Sequence, residues 1–227
     1  MFLKKIEDIS IKNGQIGIVR GGFPSVVALE SQIAKLPYGG AAQNKNPDVE
    51  NSRLPPFIQV FYYLFFQQYA VPSQDAFWQT YCNWTEQADD REVYFRHQSN
   101  TFAAQDVKNR LLRSYPSLIR DLHFYFVCLE SCLFEEVVYS LKTDFERGID
   151  LSITYKGNHF AVSIFTDTRR GRAFKQKKDK RHDYSGVTEI ILDVNLNDLD
   201  KKGNFFLMGY SHVQRLLVAM QASGGRA

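Results

Sequence analysis

The sequence predicts an α/β (α+β) protein, with a small central sheet flanked by helices and a largely helical N-terminal half. Two changes of pattern carry that reading. Apolar residues recur at helical spacing through most of the first 147 residues. After Gly148 the period drops to two, with Ile149, Leu151, Ile153 and Tyr155 alternating with Asp150, Ser152 and Thr154. A third observation bounds the class: 44% hydrophobic and 23% charged residues in a chain of 227 are the proportions of a globular protein with a core of its own.

The elements follow in order. Residues 15–20 (QIGIVR) read as a short strand. Gly21-Gly22-Phe23-Pro24-Ser25 then delivers Ser25 to the cap of a helix ending near Leu36. The two glycines lack the Gly-Lys-Ser/Thr of a phosphate loop. Residues 37–56 are rich in Gly, Pro and Asn and form the one long loop-like stretch, either a surface connection or an arm that orders on a ligand. Between Pro56 and Gln87 two helices are separated by Val71-Pro72-Ser73, Ser73 capping the second; the first is so aromatic that burial nearly all round is expected. Polar residues 88–101 connect to a helical pattern that begins near Gln105, breaks at Tyr115-Pro116-Ser117 and resumes at Leu118 to about Arg147, either continuously or with an interruption near Ser131. A hairpin around Lys156-Gly157-Asn158, a third strand over residues 188–194 and a closing helix over residues 211–222 complete the chain. No boundary divides it: residues 1–227 read as one domain, with a helical part to about 129 and a sheet-bearing part from about 130.

Composition excludes some classes. The longest apolar run, residues 57–66, is about half the ~20 residues a membrane span needs. The N-terminal residues contain no apolar stretch of signal-peptide length. Three cysteines, Cys82, Cys128 and Cys132, show no disulfide spacing, so the expectation is a cytoplasmic protein with reduced thiols and no membrane partner. Cys128, Cys132 and His123 fall on one helical stretch, but a zinc site wants a fourth ligand and the spacing offers none. Eighteen Phe and twelve Tyr are read first as core and only second as a base-stacking surface.

Charge is concentrated in one place. Residues 169–182 hold Arg169, Arg170, Arg172, Lys175, Lys177, Lys178, Lys180 and Arg181 against the single acid Asp179, a net of +7. With a whole-chain charge of +3, the remainder carries −4. A local cationic segment on a mildly acidic protein is the footprint of a polyanion site, nucleic-acid phosphate above all. Arg113 and Arg120 extend this surface or pair with nearby acids such as Asp121 or Glu130.

The segment follows directly on the hairpin. With a two-residue turn at Lys156-Gly157 or Gly157-Asn158, Asp150, Ser152 and Thr154 share a face with Ala161, Ser163, Phe165 and Asp167, and with the first of these turns Asp150 falls directly opposite Ser163. The stretch before it, LFEEVVYSLKTDFERG, reads as helix and carries Glu135, Glu136 and Glu146.

A glutamate-bearing helix, Gly148-Ile149-Asp150-Leu151 opening a strand, a tight turn, and a second apolar strand running into basic residues together resemble the core of the PD-(D/E)XK nucleases, the restriction-endonuclease-like fold. The resemblance covers residues 130–195. It implies a DNA endonuclease that hydrolyses phosphodiester bonds with Mg²⁺, acting as a homodimer. It makes Asp150 the first metal-binding acid and Glu135 or Glu136 the helical acid. The family's Glu-X-Lys should fall at Ser163-Ile164-Phe165 and does not, so the resemblance turns to Asp167 for the acid and Lys175 or Lys178 for the lysine. The alternative it leaves open is a non-catalytic nucleic-acid-binding protein on a decayed nuclease fold.

Overall fold

A computed structural model describes residues 10–12, 15–16, 23–39, 45–52, 54–55, 57–85, 94–97, 100–166 and 187–224. The architecture is mixed α/β. Its centre is a six-stranded sheet built from β1 (Ser10–Lys12), β2 (Gln15–Ile16), β5 (Glu136–Ser140), β6 (Leu151–Tyr155), β7 (Asn158–Thr166) and β8 (Thr188–Val194), in the order β2-β1-β5-β6-β7-β8. All neighbours are antiparallel except β7 and β8, which run parallel.

Around the sheet lie α1 (Val26–Lys35), α2 (Pro47–Asn51), α3 (Phe57–Gln68), α4 (Gln74–Thr85), α5 (Ala104–Glu130), α6 (Leu141–Arg147) and α7 (Tyr210–Gly224). Two small hairpins, β3 (Tyr94–His97) with β4 (Asn100–Ala103) and β9 (Asp200–Lys202) with β10 (Phe205–Leu207), pack near α5.

Local chemistry explains most element ends. Ser25 caps α1 by accepting the Ala28 amide at 3.2 Å, and Ser73 caps α4 by accepting that of Ala76 at the same distance. The residue after α6, Gly148, closes the helix in the left-handed conformation at φ 67°. α3 is buried on nearly every side, and its Phe61 meets Phe77 and Tyr115 edge-on, so the aromatic wealth of the sequence is core.

The structure departs from expectation at α2, a helix inside the stretch read as loop-like, and in three further places. Pro116 does not break the helix, and α5 runs unbroken from Ala104 to Glu130. Tyr115 and Ile119 on either side of it are fully buried, and Ser114 and Ser117 turn their hydroxyls onto the carbonyls of Leu111 and Ser114, so packing holds the turn that loses one backbone bond.

Second, the helical pattern does not continue to residue 147. Cys132, at φ 53°, ends the helix, and Glu136-Val137-Val138-Tyr139 forms β5, as its β-branched and aromatic residues favour. The placement of Glu135 and Glu136 on a helix is therefore corrected. Third, residues 94–103 and 200–207 form hairpins too short to have left a readable alternation. Among the described residues no helix is long and apolar enough to cross a membrane.

One face of the sheet is apolar. Val137, Ile153 and Phe160 form one buried row across β5, β6 and β7, and Leu151, Val162 and Ile190 another across β6, β7 and β8. The opposite face is polar: Glu136, Thr154 and His159 align in one row, and Ser152, Ala161 and Glu189 in the next.

Candidate functional site

The hairpin turn is Lys156-Gly157, flanked by the pair Tyr155 and Asn158. Both turn residues have positive φ, 50° and 74°, as a type I′ turn requires. That turn sets the register that makes Leu151 the partner of Val162.

The register does not carry through to Asp150 as parity predicts. The Asp150 amide donates to the Val162 carbonyl at 2.9 Å, so Asp150 and Leu151 both face Val162 and the strand opens in a bulge. Asp150 is thus not set squarely opposite Ser163. Its Oδ2 instead accepts the Ile164 amide at 2.5 Å, which fixes the carboxylate at the head of β6.

Two stacked tyrosines lie close by. The rings of Tyr62, on α3, and Tyr139, on β5, are 4.2 Å apart at 13°, and the Tyr139 hydroxyl donates to Asp144 Oδ2 at 3.4 Å. Burial pushes the Tyr62 phenol well above its usual range, and the negative charges of Asp144, Asp121 and Asp150 push it further. The charges of three carboxylates, from α6, α5 and the bulge, therefore act on one buried phenol. Of the three, only Asp150 stands out in the sequence as a candidate ligand; Asp121 and Asp144 sit in helices among ordinary charged residues.

Glu135 and Glu136 are not part of this group. The Glu135 amide donates to the Thr154 carbonyl, and both Glu135 carboxylate oxygens accept the Gly157 amide, at 3.2 and 3.1 Å. Glu136 pairs with Thr154. Thr154 is four residues along β6 from Asp150, about 13 Å at strand spacing. The expected pairing of Asp150 with Glu135 or Glu136 at one metal is corrected: the acids stand at opposite ends of the strand because Glu136 opens β5, which runs antiparallel to β6.

Where Glu-X-Lys was sought, the Ser163 hydroxyl donates to Glu189 Oε1 on β8 at 3.3 Å. Asp167, Lys175 and the basic residues Arg169, Arg170, Arg172, Lys177, Lys178, Lys180 and Arg181 lie outside the described residues. The last described residue before them, Thr166, pairs with Val194 at the Asp150 end of the sheet. Among the described residues no three His, Cys, Asp or Glu side chains are gathered so as to hold a metal ion.

The remaining sequence candidates have structural partners. Arg113 pairs with Glu50, and Arg120 Nε lies 3.7 Å from Asp121 Oδ1. His123 is buried, its Nε2 3.3 Å from Glu30 Oε1, while Lys202 Nζ holds the other Glu30 oxygen at 2.7 Å. Cys128 is buried and Cys132 exposed. No protein-family model, no curated protein and no solved structure matches this chain.

Proposed function

We propose that the chain is a Mg²⁺-dependent endonuclease of restriction-endonuclease type that hydrolyses DNA phosphodiester bonds, a homodimer acting on both strands. One observation carries the reading. Asp150, fixed in a bulge at the head of the middle strand of an antiparallel meander, stands at the sheet end from which the chain passes Thr166 into its +7 segment. A carboxylate of the kind that takes a hard cation and a set of phosphate-binding side chains leave the same end of one sheet.

The fit of Mg²⁺ is partial. The ion takes oxygen donors and keeps several waters, so one or two carboxylates beside a phosphate suffice. Asp150 and Asp144 are donors of that kind. When bound, Mg²⁺ would supply an activated water and neutralise charge at phosphorus. What this chain's described residues contribute is the anchor: Asp150, half-buried at the head of β6 and oriented by the Ile164 amide.

A second reading, a nucleic-acid-binding protein without catalysis, is favoured by a specific observation. The positions that should bear Glu-X-Lys bear Ser163-Ile164-Phe165, and the described residues gather no three-donor group.

One experiment separates the two. The protein is incubated with supercoiled, linear and single-stranded DNA in Mg²⁺ or Mn²⁺, and binding is followed in Ca²⁺ or without metal. The first reading expects cleavage that Asp150→Asn abolishes while DNA binding is kept or strengthened, since a negative charge near the phosphate is removed. Binding with no cleavage across the panel selects the second reading. Cleavage that survives Asp150→Asn rejects the site.

A further inference from the structure

At the far end of the sheet from Asp150 the structure holds a cleft of about 570 Å³ between the start of α1, the last turn of α5 and the entry to β5. Its walls are aromatic, from Phe23, Phe126 and Phe134. Its charged groups are two carboxylates, Glu130 and Glu135, and its described lining contains no Lys, Arg or His. Neither carboxylate swings freely: Glu130 Oε1 accepts the Val26 amide at 2.6 Å, and Glu135 accepts the Gly157 amide of the hairpin turn. A carboxylate has about four lone-pair sites, so each retains acceptor capacity after those bonds.

We propose that this cleft is a docking site for a lysine or arginine side chain presented by a segment of a partner protein. The charge complementarity is direct, with two fixed carboxylates and no cation of the described lining to satisfy them. The aromatic walls favour the same occupant, since an ammonium or guanidinium group is attracted to ring faces while its aliphatic stem packs on them. A protein segment suits the cleft better than a small amine. Glu130 and Glu135 are both exposed, whereas small-ligand sites bury most of the ligand's surface. The inference does not depend on the nuclease reading, because Glu135 and Asp150 lie at opposite ends of β6.

Cys132 gives the test a local reporter: it lines the cleft and is exposed, whereas Cys82 and Cys128 are buried. The rate at which iodoacetamide alkylates Cys132 in the folded chain is measured with an arginine- and lysine-rich nonapeptide, with a glutamate-rich peptide of the same length, and with butylammonium ion. The basic peptide is expected to slow alkylation at least fivefold and the acidic peptide to leave it unchanged. Glu130→Gln with Glu135→Gln, which keeps both acceptors for the Val26 and Gly157 amides, is expected to remove the protection without lowering the melting temperature. Glu135→Gln alone, expected to weaken it, serves if the double variant does not fold. No protection at saturating basic peptide overturns the proposal, as does protection undiminished by the glutamine variants. Equal protection by butylammonium ion overturns the assignment to a protein partner.

Discussion

At the scale of single residues, burial decides what each charge can do. Leu151 is fully buried on the apolar face while its neighbour Asp150 is half-buried in the bulge. Leu151→Asp is therefore expected to cost about 4 kcal/mol or more by burying an unpaired charge, and Asp150→Asn to leave the thermal melt close to that of the parent. Equal losses in urea denaturation would show that Asp150 is structural. Two buried histidines make a second prediction. Burial holds His123 below its ordinary value of 6.5 in spite of Glu30, and burial with nearby Arg215 holds His212 below it as well. The unfolded chain then takes up protons first, so the stability these rings contribute is whole above pH 6.5 and declines as pH falls through their lowered values. Melting temperature should drop between pH 7 and pH 5, and His123→Gln with His212→Gln should flatten that drop. Asp150 itself was legible as a residue because it is the one charge in the polar set that alternates with Ile149, Leu151, Ile153 and Tyr155. Its bulge was not, since a bulge is a hydrogen-bonding choice of two strands and leaves no mark on parity.

At the scale of elements, the hairpin was readable and the region before it was not. Turn residues and period-two alternation fix β6 and β7 locally, and β8 is found at Thr188–Val194 as its alternation predicts. The turn carries its own test. A Cβ at Gly157 would touch nothing within 4 Å, so Gly157→Ala is expected to cost about 1 kcal/mol through its positive φ alone, read as a shift of the urea midpoint at constant m-value. A loss several times larger would mean that the turn has packing partners. The strand that follows residue 131 was read as helix because Leu133, Val137 and Leu141 fit a helical stripe as well as they fit β5 and the start of α6. Only the pairing of Glu136, Val137 and Val138 with β6 chooses between the two patterns. Pro116 is the converse case, a local break signal overruled because both flanks of the helix are buried.

At the scale of the whole molecule, α1 and the β9–β10 hairpin, far apart in the chain, are interlocked. Lys202 of β9 holds Glu30 of α1, the Asn204 side chain donates to the Leu36 carbonyl at 3.3 Å, and Gly203 lies so close to α1 that a Cβ there would stand 2.5 Å from the Ala34 carbonyl oxygen. The helical first half is thus bound to the sheet-bearing second half through α1, α5 and the β9–β10 hairpin. None of this was visible in the sequence, where Glu30 and Lys202 are ordinary charges 172 residues apart. The candidate site has the same character: its anchor belongs to one strand, but Tyr62, Asp121 and Asp144 come from three helices whose convergence is a product of packing.

The parallel pairing of β7 with β8 makes the protein divisible. Every other neighbouring pair in the central sheet is antiparallel, so the covalent link between Thr166 and Thr188 is the one connection that a strand pairing bridges in parallel. β8, the β9–β10 hairpin and α7 are joined to the rest by a seven-residue ladder, by contacts of β10 and α7 with α5, and by the Glu30–Lys202 pair. Co-expressed as two polypeptides, residues 1–168 and 187–227, they should recombine into one folded complex that co-purifies and melts in a single transition. Fourteen of the eighteen residues left out, 169–182, are the cationic segment, so the reassembled protein would keep Asp150 in its bulge while losing that segment. Failure to recombine would make that segment part of the architecture. Recombination with loss of DNA affinity would make it an accessory of recognition, replaceable by another sequence without rebuilding the sheet.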